Sequence, residues 1–238
     1  MKYFLLLLLS FFCFACQPPT DEKLSREVLE TYLDRNVRVF GPYAVVRLPI
    51  NSGVRIWNPV QIVRGPNDMM YAANHTGEIY VLQDTNGDGL EDHATFFCDV
   101  KEQGLRSPAS IAFKGQDLYV GTAQEVRIYT DTDGDLKADQ NRVFLKDIPH
   151  SEHPYEWSSA LTFGPDGHLY LVLTTDSWNA GASPDPEGLR GSIIRISPDG
   201  NKVERFATGV RSVAGMLFNE HNDLLFIDNE GGGNPTEE

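Results

Sequence analysis

From about Val45 onward, apolar and polar residues alternate over short runs separated by Gly, Pro, Asn and Asp. Such runs predict β-strands; Gly, Asn and Asp supply the positive φ that tight connections need, and Pro fixes φ at about −65° for the first corner of a turn. One unit recurs: strand, tight turn, strand. It spans Asn58–Tyr71, Ser107–Tyr119, Trp157–Tyr170 and Ser212–Leu225. Arg64, Phe113, Phe163 and Phe218 hold one phase of it, at intervals of 49, 50 and 55 residues. A further strand pair follows each unit, as at Glu78–Leu82 and Thr95–Cys98. Four strands in roughly 50 residues make a β-propeller blade. A β-sandwich would space its turns more closely and less regularly. The expectation is therefore an all-β chain, with about four propeller blades over residues 45–238. An open ring leaves unpaired edges and half-buried faces, so the chain is expected to be an N-terminal fragment of a longer propeller.

The N-terminus reads differently. Lys2 is followed by an almost wholly apolar run from Tyr3 to Ala15. That run is shorter than the about 20 residues of a spanning helix and fits the core of an export signal. Ala15-Cys16 resembles the bacterial lipobox, with Cys13 where Leu is usual. Residues 1–16 are thus expected to be a lipoprotein signal peptide, with Cys16 lipidated. The protein would then face the periplasm or the surface from a membrane of the bacterial cell envelope. Residues 17–44 would be a tether and a short helix, since Leu24, Val28, Leu29 and Leu33 share one side of a helical pattern. With Cys16 lipidated, Cys98 would stand alone, and its apolar neighbours Phe96 and Phe97 suggest plain packing.

Composition narrows the partners. Hydrophobic residues make up 41% and charged residues 23% of the 238, as in an ordinary globular chain. Thirty-four acidic residues against 20 basic ones give a net charge of −14. A nucleic-acid partner is not expected, because no basic patch is available to neutralise phosphates. Cation binding is compatible. Asp84, Asn86, Asp88 and Asp92 sit in a D-x-N-x-D-G-x-x-D run, and Asp131, Asp133, Asp135 and Asp139 repeat that spacing 47 residues later. Oxygen ligands at the first, third and fifth positions, with Gly sixth, resemble the start of a calcium loop. The second run has Leu136 in place of the Gly, which should weaken a site. Both runs also read as acidic hairpin turns held by side-chain-to-backbone hydrogen bonds.

Three stretches carry a family resemblance: the hairpin Asp84–Asp92, the turn Gly164-Pro165-Asp166-Gly167-His168-Leu169-Tyr170, and the loop Asp228–Glu238. They resemble the glucose/sorbosone dehydrogenase family, six-bladed propellers that include soluble quinoprotein sugar dehydrogenases. More closely, the chain is similar to the membrane-associated dehydrogenase-like propellers of bacterial lipoproteins. The resemblance implies a sugar or polyol substrate, pyrroloquinoline quinone (PQQ) as hydride acceptor, and a cytochrome as a candidate electron acceptor. The family's general base is a His eight residues before the Gly of the GPDG turn. Here that position is Glu156, with His153 and His150 just upstream. The resemblance makes Glu156 or His153 the base and Asp176 the group that orients it. Gly209-Val210-Arg211-Ser212-Val213 resembles the family's G-x-R-N-P turn, which places Arg211 and Ser212 at the cofactor. Glu238 matches an acidic residue near a family calcium site. Glu156 and the altered turn equally suit a non-catalytic, calcium-stabilised propeller that binds a glycan or a protein. No H-E-x-x-H, G-x-S-x-G or P-loop pattern competes.

Overall fold

A computed structural model of the chain describes residues 24–41, 43–51, 53–54, 56–105, 108–150, 158–175 and 188–229. The chain divides into two compact units, Met1–Arg47 and Leu48–Glu238. In the first, the Ser25 hydroxyl accepts from the Val28 N–H at 3.2 Å and starts a short helix, α1 (Arg26–Tyr32). Side-chain oxygens favour this position because the first N–H groups of a helix have no internal partner. After α1, Leu33 bridges to Val46 and Arg47 Nε donates to Asp34 at 2.8 Å. That bond holds the Asp34 carboxyl below its ordinary pKa. Among the described residues, no helix is long and apolar enough to cross a membrane.

The second unit is a β-propeller. Its first sheet is β1 (Pro59–Arg64), β2 (Met70–Asn74), β3 (Glu78–Gln83) and β4 (His93–Asp99). The second is β5 (Ser110–Lys114), β6 (Asp117–Gly121), β7 (Val126–Thr130) and β8 (Gln140–Leu145). The third is β9 (Ser158–Phe163), β10 (Leu169–Leu173), β11 (Ser192–Ile196) and β12 (Val203–Thr208). A fourth holds β13 (Val213–Phe218) and β14 (Leu224–Asp228). Every sheet is an antiparallel meander in chain order, and the first strands of successive sheets touch one another. Among the described residues, three four-stranded blades and a two-stranded fourth match the four units seen in the sequence.

Strands inside the series bury both faces. On β10, Leu169, Leu171 and Leu173 pack with Val126 and Ile128 of the second blade, whereas Val172 packs with Val213 of the fourth. Alternate side chains of a strand point to opposite faces, so one strand serves two blade junctions.

A repeated aromatic contact joins the blades. Tyr71 meets Phe97 of its own outer strand at 5.2 Å between ring centroids and Phe113 of the next blade at 4.6 Å. Tyr119 meets Phe144 at 5.0 Å and Phe163 at 4.8 Å. Tyr170 meets Phe206 and Phe218, both at 5.0 Å. All six pairs are edge-on, the arrangement ring quadrupoles favour. Gly65 is required beneath the first: a Cβ there would lie 2.5 Å from the Tyr71 ring and 2.6 Å from Phe113.

The hairpins at the outer strands are tied by carboxylates. Between β11 and β12, Asp199 accepts from the Ser197 hydroxyl and from Asn201, whose Nδ2 lies at 2.9 Å. These bonds, led by Ser197, lower its pKa to about 2. The folded value lies below the ordinary 3.8, so the ionised group favours the native state above about pH 3.8 and that contribution fades as pH falls toward 2. An NMR titration should place Asp199 near 2, and Ser197→Ala should raise it. An Asp199 that titrates at its ordinary value in the parent protein would contradict the hairpin geometry.

Candidate functional site

The two ends of the blades carry different chemistry. One end holds the acidic loops, which join the third strand to the fourth in the first two blades. Asp84 accepts from the N–H groups of Gly87 and Gly89, both at 2.8 Å, and Asp92 from Thr85 N at 2.9 Å. The second loop repeats this: Asp131 accepts from Gly134 at 2.7 Å and Leu136 at 2.9 Å, and Asp139 from Thr132. Leu136 keeps the turn by adopting φ 68° where the first loop has Gly89 at 89°. Its side chain packs on the core between the first two blades, and Ala138 N donates to Phe97 O at 2.9 Å. Burial of the leucine thus offsets a backbone conformation that L-residues rarely adopt. The second loop is therefore also a staple between blades. Carboxylate oxygens of Asp131, Asp133 and Asp135 lie within 4.8 Å of one another, close enough to share a cation. Asp84, Asn86 and Asp88 occupy the equivalent places in the first loop.

Cys98 is not part of either end. It is buried in the core between the first blades, and burial, reinforced by Asp99 and Glu102, pushes its thiol pKa up. A thiol held protonated packs as a small apolar group.

The opposite end gathers polar groups. Antiparallel register places Asn74, Ser110 and Ser158 there, opposite Pro59, Gly121 and Leu173. Asn74, Ser110, Thr122, Ser158, Thr174 and Thr175 are all buried. Ser158 Oγ donates to Thr122 O at 2.6 Å, linking the second and third blades. Among the described residues, the buried atoms Asn74 Oδ1, Ser110 Oγ, Gln124 Oε1 and Ser159 Oγ have no hydrogen-bond partner. Buried polar atoms are nearly always paired, with protein or with a bound molecule.

Two arginines complete this end. Arg190, just before β11, donates from Nε to Thr174 O at 2.7 Å and from Nη2 to Thr175 O at 2.9 Å. Thr175 N in turn donates to Arg211 O at 3.0 Å. The Asp228 carboxylate accepts from Arg211 N at 2.9 Å and from Ser212 N at 2.7 Å, which fixes the turn before β13. Arg211 Nη1 donates to Asn229 O at 3.0 Å. The Arg190 guanidinium is thus anchored to the carbonyls of Thr174 and Thr175, the two residues that precede Asp176, and the Arg211 backbone joins the same stretch through Thr175 N, while its guanidinium bonds Asn229 O. Arg211 was legible in the sequence. Arg190 was not, since nothing nearby marks it as more than a cation before a strand. The other residues singled out from sequence, Glu156, His153, Asp176, Glu238 and Cys16, lie outside the described residues.

A family model, "Domain of unknown function (DUF7133)", matches residues 51–236. The chain belongs to the DUF7133 family. No functionally curated protein matches it. Solved structures with the same architecture include the holo PQQ domain of pyranose dehydrogenase from Coprinopsis cinerea, at TM-score 0.61 and 11% identity. That match covers 76% of this chain and 45% of the fungal one. PQQ-bound aldose sugar dehydrogenase from Streptomyces coelicolor gives TM-score 0.56 and 19% identity, over 76% and 58% of the two chains. A gluconolactonase from Xanthomonas campestris gives 0.55 and 13%, over 79% and 60%. The DUF7133 chain shares its propeller fold with these proteins and spans less than two thirds of the length of each.

Proposed function

We propose that this DUF7133 chain is part of an exported, lipid-anchored quinoprotein that oxidises a hydroxyl of a sugar or polyol. The supporting observation is the pair of arginines anchored around Thr174–Thr175, at the end of the propeller away from the acidic loops. In a chain of net charge −14 they bring two guanidinium groups to one point, beside the Asp228 carboxylate. Such a point suits the carboxylates of PQQ, because charge-assisted guanidinium bonds to carboxylates are strong and directional. The unpartnered buried atoms at the same end supply further hydrogen-bonding capacity for a polar ligand.

PQQ, when bound, supplies a two-electron acceptor for the hydride that leaves the sugar carbon. The chain's own residues do the rest. Arg211 and Ser212 hold the anionic cofactor. Glu156 or His153 takes the proton from the substrate hydroxyl, and Asp176 orients that base. Arg190 fixes the backbone on which Asp176 follows. Electrons pass onward to a cytochrome partner, and Cys16 carries the lipid that holds the protein on the cell-envelope membrane. Calcium in the Asp84 and Asp131 loops is structural in this reading.

Titration of PQQ with calcium into the purified protein tests it. Saturable binding is expected, together with dye-linked oxidation of a member of a sugar and polyol panel. Arg211→Ala should weaken binding by roughly 10- to 150-fold, the equivalent of about 1.5–3 kcal/mol for a charged hydrogen bond. No binding by the parent protein would contradict the proposal. It would leave the second reading, a calcium-stabilised module for a glycan or protein, which the clustered carboxylates of Asp131, Asp133 and Asp135 favour.

A further inference from the structure

In the N-terminal unit, a closed loop presents apolar side chains to solvent. Its base is tied three ways: Asp34 N donates to Val45 O at 2.8 Å, Arg47 N to Tyr32 O at 2.9 Å, and Arg47 Nε to the Asp34 carboxylate at 2.8 Å. Between these ties Val37, Val39, Phe40 and Tyr43 are 46, 40, 91 and 75% exposed. Gly41, at φ 81°, turns the chain between the two aromatic residues. Exposed apolar residues are ordinary when scattered singly, but these four lie together on one short loop and mark an interaction surface.

The charge of the loop is opposite to that of the chain. Arg47 neutralises Asp34, which leaves Arg35 and Arg38 beside the apolar side chains; among the described residues neither pairs with a carboxylate. Residues 1–47 hold six basic and five acidic side chains, which leaves residues 48–238 at a net charge of −15. Leu33, Arg35, Arg38, Phe40, Tyr43 and Val45 line one groove of about 570 Å³, so guanidinium groups and aromatic rings share a surface.

We propose that the loop of residues 34–47 seats itself in the headgroup layer of an anionic phospholipid bilayer, with Phe40 and Tyr43 at the acyl boundary and Arg35 and Arg38 on lipid phosphates. That layer meets both halves of the surface at once, anionic oxygens for the guanidinium groups and hydrocarbon for the rings. The inference rests on the lipid-anchored reading above for bringing the loop to a membrane: the loop begins 18 residues after Cys16, within reach of an acylated N-terminus.

Phe40→Trp in the full-chain protein tests it, and the exposure of Phe40 means that the change costs no packing. The protein is mixed with vesicles of phosphatidylethanolamine and phosphatidylglycerol whose acyl chains carry bromine, a short-range quencher. The added tryptophan should be quenched and shifted to the blue beyond the signal of the parent, which has Trp57, Trp157 and Trp178. Arg35→Glu together with Arg38→Glu should abolish the added quenching. No added quenching, quenching that survives the charge reversal, or a blue shift that needs no vesicles and grows with protein concentration (a loop seated on a second copy) would overturn the proposal. Intact mass of the same protein reports acylation of Cys16 separately. Acylation without quenching removes the loop inference and keeps the anchored reading, and quenching without acylation does the reverse.

Discussion

Replacing Tyr119 with alanine is expected to destabilise the propeller by about 3–5 kcal/mol, the range for truncating a buried aromatic ring. The ring is 6% exposed and lies edge-on between Phe144 and Phe163, so its loss opens a cavity where the second and third blades meet. Tyr119→Phe keeps both ring contacts and should stay within about 1 kcal/mol of the parent. Tyr170→Phe differs, because the Tyr170 hydroxyl donates to Asp166 Oδ2 at 3.0 Å and that bond would be lost. Urea denaturation followed by tryptophan fluorescence measures all three. A Tyr119→Ala loss below about 1 kcal/mol would mean that the repeated ring contact does not hold the blades together.

Arg190→Met should cost about 2–4 kcal/mol, because it removes the donors to two buried carbonyls while keeping a similar apolar stem. Thr174 O retains a long bond from Gly191 N at 3.4 Å, but Thr175 O loses the bond that Arg190 Nη2 gives it. Lysine cannot restore the fork, since one ammonium does not reproduce two N–H groups fixed in a plane. Arg190→Lys should therefore fall between methionine and the parent in stability. Both variants should also weaken PQQ binding, since Thr174–Thr175 lies against Arg211 through the Thr175 N–H. Equal stability of the methionine variant and the parent would show that the clamp carries no load.

The blade architecture was legible because it rests on local signals. Alternation marked the strands, Gly, Pro, Asn and Asp marked the turns, and the phase of Phe113, Phe163 and Phe218 marked the repeat. The partners of those rings were less visible. Phe97, Phe144 and Phe206 reach the same tyrosines from outer strands, across hairpins of different length. The acidic loops were legible as spacing. That Leu136 would keep the turn by burying its side chain between blades depends on tertiary packing, which overrides local preference.

At the arginine end, the G-x-R-S-V turn pointed to Arg211, but its capping by Asp228 joins residues 16 and 17 positions apart. Arg190 reaches back 15 and 16 residues to its carbonyls. Neither pairing follows from spacing, because each depends on how two strand ends meet. The unpartnered atoms of Asn74, Ser110, Gln124 and Ser159 are likewise a product of register and burial rather than of motif.

A ligand seated at the arginine-bearing end of the propeller should protect that end from solvent exchange. Hydrogen–deuterium exchange with and without PQQ, at constant calcium, measures this. Added protection is expected at Thr174–Thr175, Arg190–Ser192 and Gly209–Val213, with Asp84–Asp92 and Asp131–Asp139 unchanged. Protection confined to the acidic loops, or none at either end, would mean that the arginine end is not the ligand end.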